Sequence, residues 1–244
     1  MVVLKNLLIL FLFILTGQFL AAQETTQKQI WPELNIYYKL NQKFRFNGTY
    51  SGTRASGEYT DGTAGIYLDY FARPLIRGSE DPALLDSARG SYLWFRTGYA
   101  YSDTPPNEKT KVINTFVTEA DAIYRLPQDL LLINRNRFEW RFVNGSFQPI
   151  FRPRLKLLRN FVSPFLTFNV YIWGEYFFYL NENTQDRFRL AAGWEFKILS
   201  FMNLDTYFMY QFLNSPDVES LKAIGLTLKF YLKKKAKSVE NPSH

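Results

Sequence analysis

The sequence has no cysteine, and its single histidine, His244, is the last of 244 residues. Without cysteine neither a disulfide framework nor a thiolate metal site can form, so stability has to come from strand pairing and packing. With no imidazole in the body of the chain, Ser-His and His-Asp catalytic sites are excluded there. The expectation is a protein without catalytic residues, metal or cofactor; an outer-membrane enzyme is the last alternative, and without a usable histidine it would have to rely on carboxylate pairs such as Glu119 with Asp121. Long apolar runs are also missing after the first residues. A mean hydropathy of −0.21 with 18% aromatic residues is too polar for a helical membrane protein. A transmembrane β-barrel can be this polar, because its apolar residues occupy alternate positions.

The start of the chain is different in character. Lys5 supplies a positive charge, Leu7–Leu15 form an apolar run, and Gly17–Ala22 end in small residues before Gln23. The run is shorter than the roughly 20 residues of a spanning helix, and the layout is that of a secretory signal peptide over residues 1–22. No Pro/Ser-rich linker divides the remainder. One β-barrel domain is expected over 23–232, followed by a basic periplasmic tail at 233–244 that carries Lys233–Lys235 and Lys237.

Period-two alternation bounded by turn residues recurs in eleven segments, near 31–40, 43–53, 63–73, 91–102, 111–125, 130–142, 150–158, 165–180, 187–198, 203–213 and 221–232. Most run ten to fifteen residues, whereas soluble strands cluster near five or six and a tilted membrane strand needs about 9–11. The fold class is all-β, a single antiparallel transmembrane barrel. Because single-chain bacterial barrels have even strand numbers and both termini on one side, the expectation is twelve strands, with ten as the alternative. Tight turns at Asn41–Gln42, Pro127–Asp129, Asn160–Ser163 and Ser200–Met202 fall on one side, the periplasmic one. The long connection from Pro74 to Gly90 falls on that side too. It could carry a short helix capped by Asp81 with Pro82 in its first turn, and could dock a periplasmic partner.

The stretch N-R-N-R-F-E-W-R-F at 134–142 decides which face points where. A membrane barrel turns Phe138, Trp140 and Phe142 to lipid and Arg135, Arg137, Glu139 and Arg141 to the lumen. Continued around the barrel, the same parity puts Arg152, Arg154, Lys156, Glu119, Asp121, Glu175, Arg187, Arg189 and Glu195 inside, with Arg45, Asp69, Arg73, Arg96, Lys43, Lys197, Asp205 and Lys229. These charges are read in two ways. They can pair across the barrel and close it, giving a scaffold or partner-binding membrane protein, or their positive excess can line a narrow anion-preferring channel. Carboxylate pairs such as Glu119 with Asp121 neutralise neighbouring arginines in either case. Two features resist the pattern: Asn134 and Asn136 fall on the lipid face unless a bulge turns them inward, and Pro153 removes a ladder donor. The formal charge of +7 gives no reason to expect nucleic acid for an exported barrel; the expected partner is outer-membrane lipid.

The W-P-E-L start at 31–34, G-Y-A-Y at 98–101, R-N-R-F-E-W-R-F at 135–142 followed by F-R-P-R-L-K-L at 151–157, and W-G-E-Y-F at 173–177 together resemble an uncharacterised bacterial outer-membrane β-barrel family, of the domain of unknown function 2490 type. The resemblance covers nearly the whole mature chain. It implies an outer-membrane barrel and carries no activity onto these residues. The long Pro74–Gly90 connection departs from the family pattern.

Overall fold

The computed structural model describes residues 26–55, 58–74, 86–104, 111–162, 166–181, 187–213 and 220–233. The signal segment, the Asp81–Pro82 cap and the tail beyond Lys233 lie outside them. The strands are β1 (Thr26–Lys39), β2 (Phe44–Ala55), β3 (Glu58–Pro74), β4 (Ser91–Asp103), β5 (Ile113–Leu126), β6 (Leu130–Val143), β7 (Ser146–Phe147), β8 (Ile150–Val162), β9 (Thr167–Tyr179), β10 (Arg187–Leu199), β11 (Met202–Leu213) and β12 (Ser220–Lys233). Their order is β5-β4-β3-β2-β1-β12-β11-β10-β9-β8-β6, and β6 pairs back onto β5 to close the ring. Closure pairs each strand of the ring on both sides, so the ladders are satisfied within the protein as a hydrocarbon environment demands, apart from local gaps.

Twelve strands form, but β7 is a two-residue addition that pairs only with the end of β6. The closed ring therefore has eleven strands, not an even number. Closure is still possible because β1 and β12 run parallel, in register from Thr26↔Ser220 to Lys39↔Lys233. All other neighbours in the ring are antiparallel. One parallel seam is what an odd count requires, and it corrects the expectation that both chain ends share a side: β1 starts at one end of the barrel and β12 finishes at the other.

The tight turns do share an end. At Asn41 the side-chain oxygen accepts from the Lys43 and Phe44 backbone N–H groups. At 127–129, Gln128 and Asp129 both take positive φ. This turn end also holds the β3–β4 connection and the last residue of β12. The opposite, loop end carries the Asn144-Gly145 turn between β6 and β7, with φ of 48° and 86°. Positive φ at both central residues is the type I′ geometry that Asn-Gly favours.

Alternation sorts the side chains as the sequence implies. Trp140, Phe142, Phe46, Ile66, Leu155, Ile172 and Leu226 are exposed on the outer wall, while Asp69, Glu175, Glu195, Asn47 and Asn169 are buried inside. An outer wall this apolar would be costly in water and is neutral in lipid. Asn134 and Asn136 stay outside: β6 keeps one register against β5 and β8 with no bulge, and the Asn136 amide donates to the Asn134 carbonyl oxygen at 3.2 Å. Pro153 opens a gap in the β8–β9 ladder between Phe151↔Phe178 and Arg154↔Glu175 without shifting the register. Inside the barrel a buried apolar group includes Phe71, Ala88, Trp94, Ile123, Leu131 and Leu158, all on residues near the turn end.

Candidate functional site

Strand register arranges the inward charges into rows that cross the strands. One row runs Arg45↔Asp69↔Arg96↔Glu119↔Arg137↔Arg152 through β2, β3, β4, β5, β6 and β8. The next runs Asp121↔Arg135↔Arg154↔Glu175↔Arg189↔Gln211 through β5, β6, β8, β9, β10 and β11. Opposite charges so placed become ion pairs. Asp69, fully buried, binds Arg45 and Arg96, each at 2.7 Å. Glu175, also fully buried, contacts Arg135, with Arg152 at 3.0 Å, Arg154 at 3.1 Å and Arg189 at 3.9 Å. Glu139 takes Arg152 and, at 3.0 Å, Arg137. Glu119 lies 3.6 Å from Arg137 and 3.7 Å from Arg135, with Asp121 buried beside it.

On the far wall Glu195 and Asp205 hold Lys229, at 3.2 and 2.7 Å. The Tyr171 hydroxyl donates to Asp205, and the Lys156 ammonium lies 3.5 Å from the Tyr171 ring centre. Several arginines also sit over ring faces: Arg154 over Trp173 at 4.2 Å, Arg189 over Phe177 at 4.4 Å and Trp31 at 4.9 Å. Stacking fixes the guanidinium plane and leaves its N–H edge free to point elsewhere.

The sequence-assigned lumen residues thus come together, with differences at the two ends. Arg187 sits exposed at the loop end, its guanidinium 5.6 Å from the Tyr179 ring, and Arg141 is half-buried on the same side. Lys43, Arg73 and Lys197, assigned to the lumen by parity, are exposed near the turn end: Lys43 precedes β2, and Arg73 and Lys197 lie where the β3–β4 and β10–β11 registers shift.

The β3–β4 connection supplies residues that alternation could not find. A single 3₁₀ turn at Ser87–Gly90 is capped by Asp86, whose carboxylate accepts from the Ala88 N–H at 2.9 Å. Asp86 also pairs with Arg45 at 2.7 Å. Arg89 crosses the lumen to Glu195 on β10, at 2.5 Å. Ala88, Arg89 and Gly90 are buried, so this turn is folded into the barrel mouth. Burial pushes the Asp86 carboxyl up, but Arg45, Arg89 and the Ala88 N–H outweigh it and hold it below the usual carboxylate range.

The lumen between these side chains holds two cavities among the described residues. One, of ≈ 190 Å³, lies beneath the turn, between Asp86, Arg89, Trp94 and Ile123. The other, of ≈ 780 Å³, runs from the loop-end strand ends at Gln27, Thr53 and Asp61 to Tyr37, Lys156 and Lys229 past the middle of the barrel, where it shares lining with the first. Its wall is kept back in part by glycine: the Tyr207 ring lies against Gly225, where an added Cβ would sit 2.0 Å from the ring, and against Gly193, where it would sit 2.6 Å from the Tyr207 Cβ. Among the described residues no group of three or more His, Cys, Asp or Glu could hold a metal ion.

A family model described as "Protein of unknown function (DUF2490)" matches residues 28–221. No curated protein matches the sequence. Among solved structures, the chain is similar to the outer-membrane expressed OmpT of Vibrio cholerae, at 10% identity and a TM-score of 0.32, covering 76% of this chain and 85% of that one. It is also similar to a loop L8 deletion mutant of that protein, at 11% identity and a TM-score of 0.33, covering 81% and 95%.

Proposed function

Since the chain belongs to the DUF2490 family, proteins of unknown function, its role has to be read from its own lumen, and we propose that it is a non-catalytic outer-membrane barrel closed by its own residues, serving as a scaffold or partner-binding membrane protein. The observation that carries this reading is the Asp86–Arg89 latch. The 3₁₀ turn lies in the turn-end mouth and ties β2 to β10 through Arg45 and Glu195. Behind it the arginine–carboxylate rows reach into the middle of the barrel and narrow its bore around the larger cavity. The exposed apolar outer wall supports a membrane location. The turn end faces the periplasm in this reading, which is the side from which a periplasmic partner would approach.

A second reading, a narrow anion-preferring channel, is favoured by the cationic wall of the larger cavity. Conductance of the folded protein in a planar bilayer separates the two. The closed scaffold predicts no unitary steps at neutral pH; steady, anion-selective steps would replace it with the channel.

A further inference from the structure

The ≈ 780 Å³ chamber has the size of a small-molecule site, which typically spans roughly 300–1,000 Å³. Its charge is lopsided. The wall built from β6, β8 and β10 presents Arg135, Arg137, Arg152, Arg154, Lys156, Arg187 and Arg189 to it. The carboxylates set against that wall are Glu119, Asp121, Glu139 and Glu175, which leaves an excess of three cations. The Nε–H donors of Arg152 and Arg154 are buried without a hydrogen-bond partner among the described residues, although their Nη atoms are engaged by Glu175. A buried donor of this kind carries a desolvation cost until something accepts from it. The rest of the lining is mixed: the polar groups of Gln27, Asn35, Thr49 and Gln211 and the face of Trp31 stand with the acids Glu33, Asp61 and Asp205 and the cations Arg96 and Lys229.

We propose that this chamber is a binding site for a compact polyanion: a sugar-sized, hydroxyl-bearing molecule with at least two phosphate or carboxylate groups. Planar guanidinium forks match both groups, and contact with the Trp173 and Trp31 rings, at 4.2 and 4.9 Å, positions Arg154 and Arg189 before the ligand arrives. Arg137 and Arg187 meet the ligand nearer the loop end, and the amides opposite take its hydroxyls. The ligand enters from the loop end, because the latch occupies the other mouth. The inference rests on the closed-lumen reading only for that direction of entry.

Titration calorimetry on the full folded chain in detergent tests it, with fructose 1,6-bisphosphate, citrate and uncharged glucose as probes. One-to-one binding of either anion is expected, weakening as salt is raised because screening shortens the reach of the cationic wall. Binding of the bisphosphate alone assigns phosphate; binding of citrate alone assigns carboxylate. Arg187→Gln, at an exposed rim position outside the ion-pair rows, should weaken binding several-fold, and Arg137→Gln with Arg187→Gln at least tenfold. Asp61→Asn, which removes an acid from the same lining, should tighten it. Each variant is checked for folding by its faster migration on a denaturing gel when unheated. No binding of either anion, equal binding of glucose, or unchanged affinity in the folded Arg187→Gln variant would overturn the proposal. Conductance remains a separate measurement: anion binding by a conducting barrel would remove the closed-lumen reading and leave the site.

Discussion

Arg89 and Glu195 lie 106 residues apart in sequence and meet at 2.5 Å across the barrel. The turn that carries Arg89 leads straight into β4, and β10 is five strands from β4 in one direction around the ring and six in the other. The pair therefore spans nearly the full width of the lumen. Glu195 keeps Lys229 at 3.2 Å and accepts from the Asn203 amide at 2.9 Å, so its charge is not stranded if Arg89 is lost. Arg89→Gln should consequently cost about 3 kcal/mol, the lower end for breaking a buried pair. In a planar bilayer it should introduce intermittent conductance. The exchange Arg89→Glu with Glu195→Arg should restore part of the closure, and a silent Arg89→Gln barrel of unchanged stability would show that the latch does not hold the mouth.

Glu175 is the counter-charge shared by Arg135, Arg152, Arg154 and Arg189. Replacing it with Gln keeps the shape and leaves several buried guanidinium groups short of an anion. A loss of about 3–5 kcal/mol is expected, or failure to fold. Arg189→Gln, whose contact is 3.9 Å long, should cost much less. The urea concentration at which the unheated, fast-migrating gel band disappears measures both. Similar midpoints for the two variants would mean that the charge at 175 is not the organising one.

The contrast between these two pairs shows what the sequence made legible. Glu175 follows from alternation alone: with Trp173 and Glu175 on one parity and Ile172 and Tyr176 on the other, the inward face is readable without any partner. That it gathers four arginines depends on register, which turn lengths and the two outward asparagines left open. Arg89 has no periodic context at all. It lies in a connection whose contacts are with β2 and β10, and only the closed ring brings those strands within reach of one short turn. The eleven strands of the ring were countable as eleven alternating segments, and the even-number rule overrode that count because the way the ring closes was unreadable. β1 and β12 each alternate like their neighbours, and alternation does not record whether two such strands meet parallel or antiparallel.

Acidification should release the latch. Asp86 has a folded-state pKa below its ordinary value because Arg45, Arg89 and the Ala88 N–H outweigh the effect of burial. A depressed carboxylate pKa stabilises the docked turn at pH above the unfolded value of about 3.9, and that contribution is lost as pH falls through the lower, folded value. Conductance of the wild type should therefore be absent at pH 7 and appear below about pH 4. Asp86→Asn can keep the cap to Ala88 while removing the charge. It should conduct at neutral pH and respond little to acid in the same window. A wild type that remains closed below that window would exclude Asp86 as the titrating latch.

Leu228 and Thr227 are adjacent on β12 and point in opposite directions: Leu228 is exposed on the outer wall, and Thr227 is buried in the lumen. Thr227 stands in register with Glu33 on β1 and Asp205 on β11, so an arginine there would find carboxylates beside it. Leu228→Arg places a charge in hydrocarbon and should cost about 2–4 kcal/mol in lipid vesicles. Thr227→Arg should cost clearly less. Equal losses would indicate that the outer wall does not face lipid.

The outward pair Asn134 and Asn136 should behave oppositely to the buried polar residues of the lumen. Their mutual hydrogen bond, 3.2 Å long, uses one donor of Asn136 and the oxygen of Asn134. The Asn136 oxygen and the Asn134 amide still face the hydrocarbon side of β6. Neighbouring outward positions in register are Pro153 and Leu155, which offer no side-chain donor or acceptor. A polar group moved into apolar surroundings without a partner costs about 1–3 kcal/mol by protein measurements. The double replacement Asn134→Leu with Asn136→Leu should therefore stabilise the folded barrel in vesicles by about 1 kcal/mol or more, read from its unfolding midpoint. The ion-pair rows on the inner face are untouched by it, so anion binding and closure should stay as in the wild type. A loss of stability instead would mean that these amides have a polar partner within the membrane, and cross-linking of the wild type and the double variant would then show whether that partner is a second copy of the chain.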